Sequence, residues 1–374
     1  MGILVGLPQT GGKERNLQLN FGMNLEQRIS FLPAEWYQQS FIQLTWPHAN
    51  TDWAYMLEEV QDCFVKLACE ISVRQRLLVV TPQVDVVKEQ LKGKAQMENI
   101  RFFQCETNDT WARDHAFITV ETEQGPLLLD FCFNGWGMKF AANWDNQINR
   151  KLYASGILHG MYQNCMDFVL EGGSIESDGK GTLLTTSACL LAPNRNETYD
   201  RVKIEERLKS MFHLRQVLWL DYGYLAGDDT DTHIDTLARL CPHDTIVYVQ
   251  CTDIEDEHYE ALFRMEEQLK TFRTIEGEPF RLLPLPMPDA FVEDGKRLPA
   301  TYANFLIMNR TVLYPTYNQA IYDKEAKRVL MEAFPGYEIV GIDCRALIKQ
   351  HGSLHCVTMQ YPAGTLQEDF ELKK

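Results

Sequence analysis

The chain has 374 residues, 45% of them hydrophobic, enough for a substantial core in one large domain or two ordinary ones. Acidic residues outnumber basic ones 52 to 36, and the formal charge of -16 opposes nucleic acid and anionic membrane surfaces as partners while favouring a small cation. The ten cysteines include no C-x-x-C pair and no Cys/His cluster at zinc-finger spacing, which predicts free thiols rather than a disulfide framework or a metal centre.

In chain order, M-G-I-L-V-G-L-P at the start is a short apolar stretch broken by glycine and proline. It is neither a secretory h-region nor a membrane span, so a cytosolic protein is expected. Residues 52–70 place apolar groups at helical spacing behind Thr51 and Asp52, which suit an N-cap. L-L-V-V-T (77–81) has strand length, P-Q-V-D-V-V-K-E-Q-L-K restarts a helix, and R-F-F-Q-C predicts a further strand. Helices are expected near 197–211, 255–271 and 323–333, and P-L-P-M-P (284–288) reads as an irregular loop. No low-complexity linker divides the chain, so 1–374 reads as a single mixed α/β catalytic domain.

A weak internal repeat emerges when strand-turn-strand pairs are compared. W-A-R-D-H-A-F-I-T-V leads to L-L-L-D-F, and E-G-G-S-I-E-S leads to T-L-L-T-T; H-I-D-T-L-A-R-L precedes T-I-V-Y-V-Q, and N-F-L-I-M-N precedes T-V-L-Y-P. The polar residues leading such units, Asp114, Glu171, His233, Asn304 and Cys356, recur about every 60 residues, as they would if equivalent strands converged on one centre.

His233 and Asp235, two apart in an expected strand, would face the same side. Asp114 and Asp235 could each grip a planar cation through paired hydrogen bonds, the geometry that a guanidinium supplies. A thiolate at Cys356 could attack the central carbon of that cation. His233 is suited to protonate departing ammonia and then to activate water, with Glu171 fixing its tautomer. The carboxylates alone would raise the Cys356 pKa, so a bound guanidinium or a protonated His233 is needed to ionise the thiol.

N-D-T-W-A-R-D, L-E-G-G-S-I-E-S-D-G-K-G-T-L-L-T-T, G-D-D-T-D-T-H-I-D-T-L-A-R and G-S-L-H-C-V-T-M-Q-Y-P resemble, in order, the signatures of the agmatine deiminase and bacterial-type peptidylarginine deiminase family of the guanidine-modifying superfamily. L-P-A-E-W-Y-Q-Q-S-F-I-Q-L-T-W-P-H resembles that family's N-terminal motif, so the resemblance runs from about residue 30 to about 362. It implies a five-bladed α/β propeller of ββαβ-type units with pseudo-fivefold symmetry, no metal or other cofactor, a covalent thiouronium on cysteine, and a homo-oligomer. It also implies roles: Cys356 as nucleophile, His233 as acid and base, Glu171 as its partner, and Asp114 and Asp235 as guanidinium ligands.

Trp111 reads either as a core aromatic or as a wall along the substrate's methylene chain. Asp229 and Asp231 read as attractors of a terminal ammonium or as solvated loop acids, and His355 is expected on the opposite strand face with no catalytic role. The expected reaction is hydrolysis of agmatine to N-carbamoylputrescine and ammonia, a step toward putrescine. Deimination of free or peptidyl arginine is the alternative; it would need a receptor for the α-carboxylate, for which Arg113, Arg195 and Arg239 are available. A non-catalytic guanidine-binding protein is the alternative of another class.

Overall fold

A computed structural model describes residues 30–367. The N-terminal stretch read for a leader lies outside them. L-L-V-V in Arg76–Thr81 is an unbroken apolar run because this strand is buried between parallel neighbours, Gln39–Thr45 and Ile100–Gln104.

The same strand order recurs in five sheets among the described residues. In each, a leading strand forms an antiparallel pair with a middle strand, and a crossover then brings a parallel neighbour onto the middle strand's other edge. Ile118–Thr122, Gly125–Cys132 and Met161–Val169 form one such set; Ile175–Ser177, Thr182–Thr186 and Gln216–Leu220 form the next. Ala238–Cys241, Thr245–Gln250 and Arg281–Pro286 follow, then Leu306–Met308, Thr311–Thr316 and Glu338–Asp343. The four hairpins expected from the repeat are therefore present. In the fifth sheet the leading strand is Thr358–Pro362, which runs antiparallel to Gln39–Thr45 and so joins two regions far apart in the chain.

Helices fill the crossovers and cover the sheets with one apolar face each. Leu57–Ser72 buries Val60, Phe64, Leu67, Ala68 and Ile71, spaced by three and four residues. Arg201–Phe212 buries Ile204, Leu208 and Phe212, and Asp200 caps its first turn by accepting from Lys203 N at 2.9 Å. Tyr259–Leu269 and Ala320–Ala333 complete the later crossovers.

Three local expectations are corrected. The first long helix begins at Leu57 after a 3-10 turn, and Thr51 does not cap it: its hydroxyl donates to the His48 carbonyl at 2.7 Å instead. The P-L-P-M-P stretch is only partly irregular, since its first three residues end the strand Arg281–Pro286, paired with Thr245–Gln250, and only Met287 and Pro288 lie beyond it. It lies at a sheet edge, where a proline that cannot donate a ladder bond is tolerated. His233 and Asp235 are not in a strand, because Ile234–Thr236 is a 3-10 turn that His233 precedes.

The joint between Thr358–Pro362 and Gln39–Thr45 is anchored by Tyr361, fully buried and stacked on Phe41 with ring centroids 4.4 Å apart. Its hydroxyl donates to Gln43 Oε1 at 2.9 Å. Tyr361→Ala should lower unfolding free energy by about 3–5 kcal/mol, read as a lower urea midpoint; an unchanged midpoint would show that this joint does not stabilise the fold.

Candidate active site

The leading polar residues occupy loops, turns and, for Asp114, the short helix Ala112–His115 just before their strands, and hydrogen bonds link these segments, in one case through the end of the strand Thr182–Thr186, in sequence around a centre. Gly173 N donates to Asp114 Oδ1 at 3.0 Å, and Thr186 Oγ1 donates to the Thr232 carbonyl at 2.6 Å. Asn304 Nδ2 donates to the Asp235 carbonyl at 3.3 Å, while Asn304 Oδ1 accepts from His355 N at 2.9 Å and Cys356 N at 3.3 Å. Arg113 N then donates to the Cys356 carbonyl at 3.1 Å and returns to the first segment.

Cys356, His233, Asp114 and Asp235 are thereby brought together, all buried. Cys356 Sγ lies 3.8 Å from Asp235 Oδ2 and 3.3 Å from Asn304 Oδ1, and His233 Nδ1 lies 3.7 Å from Asp114 Oδ1. Gly173 sits against all three polar partners: a Cβ there would stand 2.6 Å from His233 Nδ1, 2.8 Å from Asp114 Oδ1 and 3.2 Å from Asp235 Oδ2. Only a residue without a side chain lets these groups converge. Among the described residues, no group hydrogen-bonds either ring nitrogen of His233 or Oδ1 of Asp235.

The two aspartates differ in their surroundings. Asp114 accepts from Trp136 Nε1 at 2.9 Å, but burial and then the negative charge of Asp235 push its carboxyl well above the usual range. Burial pushes Asp235 the same way, yet its bond and charge interaction with His355 hold it below the ordinary value. Burial depresses His233 to about 3, so the imidazole is neutral at physiological pH. Burial, then Asp235 and Asp114, raise the Cys356 thiol well above its ordinary range. In the unliganded protein His233 is thus not the cation that could ionise the thiol.

Glu171 is fully buried, and both its oxygens accept from Arg195 Nε, at 2.9 and 3.2 Å. It does not bond His233 directly; ligand atoms of Glu171, Cys189 and His233 lie within 4.8 Å of one another. A second such cluster contains Glu35, Glu176 and His355. Arginine already supplies the cation in both, with Arg195 on Glu171 and Arg239 on Glu35 and Glu176.

Trp111 is buried beside Trp53 and Trp136, at 5.7 and 6.4 Å between centroids, and its six-membered ring fills the space where Gly352 would carry a Cβ. It therefore belongs to the core, next to the tryptophan that bonds Asp114. Asp231 is held by Arg195 Nη1 at 2.5 Å and Lys139 Nζ at 2.7 Å, and so is not a free loop acid. Asp229 is pushed up to about 6 by burial, against the opposing charge of His351.

The expectation for His355 is also corrected. Residues 354–357 form a turn rather than a strand, so strand alternation does not turn the ring away; its Nδ1 lies 2.7 Å from Asp235 Oδ2. The sequence patterns do not mark Trp136 or Gly173 as site residues, and they offer Arg195 as an α-carboxylate receptor, whereas it bonds Glu171. Asn304 was visible as a leading residue of the repeat, whereas the partners of Arg195 and Trp136 depend on tertiary approach and leave no local spacing signal.

A family model for the Porphyromonas-type peptidyl-arginine deiminase matches residues 31–362. A protein named "Putative agmatine deiminase" from Marinomonas sp. is 30% identical over 354 residues, covering 88% of this chain and 94% of its own. The solved structure of a "Putative Arginine Deiminase" from Porphyromonas gingivalis has a TM-score of 0.86 and 51% identity, covering 90% of this chain and all (100%) of that one. Agmatine deiminase of C. jejuni, solved with substrate bound as a cysteine-to-serine variant, has a TM-score of 0.84 and 38% identity, with 92% and 100% covered.

The mixed α/β fold and these likenesses define a guanidino-group-modifying hydrolase. The chain belongs to the family of agmatine deiminases and Porphyromonas-type peptidylarginine deiminases. Among the described residues, no helix is long and apolar enough to cross a membrane.

Two outcomes follow from the geometry. Gly173→Ala should reduce turnover about 100-fold by displacing His233 and both aspartates; ammonia release at saturating substrate would measure it, and wild-type turnover would refute the cradle. Because the free thiol is protonated at neutral pH, alkylation of Cys356 by iodoacetamide should keep accelerating with pH beyond 9. Peptide mass spectrometry would follow it, and a plateau near pH 7 would instead mean a preformed thiolate.

Proposed function

We propose that this protein hydrolyses agmatine to N-carbamoylputrescine and ammonia. The observation that carries the reading is the pairing of two buried carboxylates, Asp114 and Asp235, beside the thiol of Cys356 and a neutral imidazole. A guanidinium between the aspartates relieves their repulsion and offers a planar donor set that both can accept.

The same cation favours the Cys356 thiolate, with His233 receiving the thiol proton. Sulfur bonds to the guanidinium carbon, and the resulting tetrahedral centre expels ammonia as His233 returns the proton to the leaving nitrogen. The remaining thiouronium is attacked by water, which gives a proton to His233. Collapse breaks the C–S bond, releases the ureido product and restores the thiol. Glu171, held by Arg195 near His233, favours the transiently charged imidazolium.

Agmatine is favoured over arginine by the engagement of the three available arginines. Arg195 is bonded to Glu171, Asp231 and the Thr230 carbonyl, and Arg239 to Glu35, Glu176 and the carbonyls of Ala303 and Phe305. Arg113 is buried 4.0 Å from Glu35, with its Nη1 against Met359 Sδ. Arg195 and Arg239 are thus committed, and Arg113, although its Nη2 makes no hydrogen bond among the described residues, is buried beside Glu35, whereas Asp229 suits a terminal ammonium. Trp111 is read as backing the substrate-binding wall through Trp136. Deimination of arginine is the second reading, favoured by the name of the P. gingivalis relative at 51% identity.

We also read the five recurrent sheets and their cycle of hydrogen-bonded leading segments as a single-domain, five-bladed propeller with pseudo-fivefold symmetry. Incubation with agmatine, free arginine and a peptide ending in arginine, followed by ammonia and ureido assays, tests the substrate. Agmatine should be turned over with the highest kcat/KM; a preference for either arginine substrate would overturn the first reading. Cys356→Ser should abolish turnover while agmatine still binds, and a quenched wild-type reaction should show an amidine-sized adduct on Cys356 by mass spectrometry.

A further inference from the structure

The N-terminal motif L-P-A-E contributes one buried acid, Glu35, that the reaction above does not use. Its Oε1 accepts from Ile307 N at 2.8 Å, and its Oε2 accepts from Arg239 Nη2 at 2.6 Å. The same Oε2 lies 2.9 Å from His355 Nε2. Across the ring, His355 Nδ1 lies 2.7 Å from Asp235 Oδ2. One imidazole thus spans the distance between an acid of the N-terminal motif and a proposed guanidinium ligand, with a carboxylate at each nitrogen.

An ionised carboxylate can only accept, so each ring nitrogen facing one is satisfied as a donor. Arg239 Nη2 also lies 3.0 Å from His355 Nε2. Both nitrogens point to Glu35 Oε2, and their proximity follows from sharing that acceptor. The surrounding buried group contains the carboxylates of Glu35, Glu176 and Asp235 and the guanidiniums of Arg113 and Arg239.

We propose that Glu35 is a positioning residue for guanidinium capture: through His355 it pins Oδ2 of Asp235 and leaves Oδ1 directed to the substrate. The inference rests on the assignment of Asp235 as a guanidinium ligand. With Glu35 present, the His355 ring is fixed at both ends and donates to Asp235. With the carboxylate removed, the ring loses its anchor, and the orientation of Asp235 is no longer enforced. The loss falls on an interaction present in both the bound substrate and the transition state, so KM responds more than kcat.

Glu176 provides the control. It pairs with Arg239 Nε at 2.5 Å and accepts from Leu240 N at 3.1 Å, but makes no hydrogen bond to His355. Glu35→Gln and Glu176→Gln each deprive Arg239 of a carboxylate, and both should lower Tm. Only Glu35→Gln should raise KM for the guanidine substrate, by tenfold or more, with kcat within threefold of wild type; Glu176→Gln should leave KM within threefold.

An unchanged KM in Glu35→Gln, or an equal rise in Glu176→Gln, would overturn the inference. If Glu35→Gln does not fold, Glu35→Asp, which keeps the charge but withdraws it from His355, should raise KM, and an unchanged KM would again overturn it. Wild-type turnover in the same assay separates the two levels: its absence defeats the deiminase reading itself, whereas active variants without the KM difference defeat only the role of Glu35.

Discussion

Two carboxylates confined together away from water are the constraint on which the rest of this structure depends. Asp114 and Asp235 approach the same glycine, and each raises the cost of ionising the other and the neighbouring thiol. Such a site is poorly matched to anything except a cation with many donors in a plane. The protein's own guanidiniums illustrate the preference: Arg195 and Arg239 neutralise Glu171, Glu35 and Glu176, while no arginine among the described residues bonds the side chains of the central pair. Selectivity for a guanidine thus begins with an electrostatic deficit that the fold leaves at its centre.

The fold maintains that arrangement by linking short irregular segments rather than by building the site on one rigid element. Asn304 contributes a carboxamide whose oxygen collects two backbone N–H groups and faces the Cys356 sulfur. Gly173 supplies the close approach, and its own N–H fixes Asp114. The 3-10 turn at Ile234–Thr236 sends His233 and Asp235 toward the same glycine, an outcome that strand alternation was expected to give by another route. The helices and outer strands supply the packing that keeps these segments dry.

Much of this was legible in the sequence because the repeat places one polar residue ahead of each hairpin. The four hairpins, the parallel strands around Arg76–Thr81 and the helices after Asp200, His258 and Gln319 carry strong periodic or capping signals. The misread elements fail for identifiable reasons. The strand Arg281–Pro286 is proline-rich because it lies at an edge, and the first long helix starts late because His48 captures the hydroxyl of Thr51. His355 was set aside by a strand rule that does not apply in a turn. Its bonds to Glu35 and Asp235 join residues 320 and 120 positions away, a relation no local pattern can reveal.

The pairing of Thr358–Pro362 with Gln39–Thr45 has a consequence for biosynthesis. Asp114, Glu171, His233 and Asp235 all emerge from the ribosome before Cys356, and so does the strand that must wait for its C-terminal partner. Sheets nearer the start can form while synthesis continues. The sulfur and the segment that completes the first-made sheet arrive together, so a nascent chain carries the acidic half of the centre without its thiol, and assembly of the site coincides with closure of the fold.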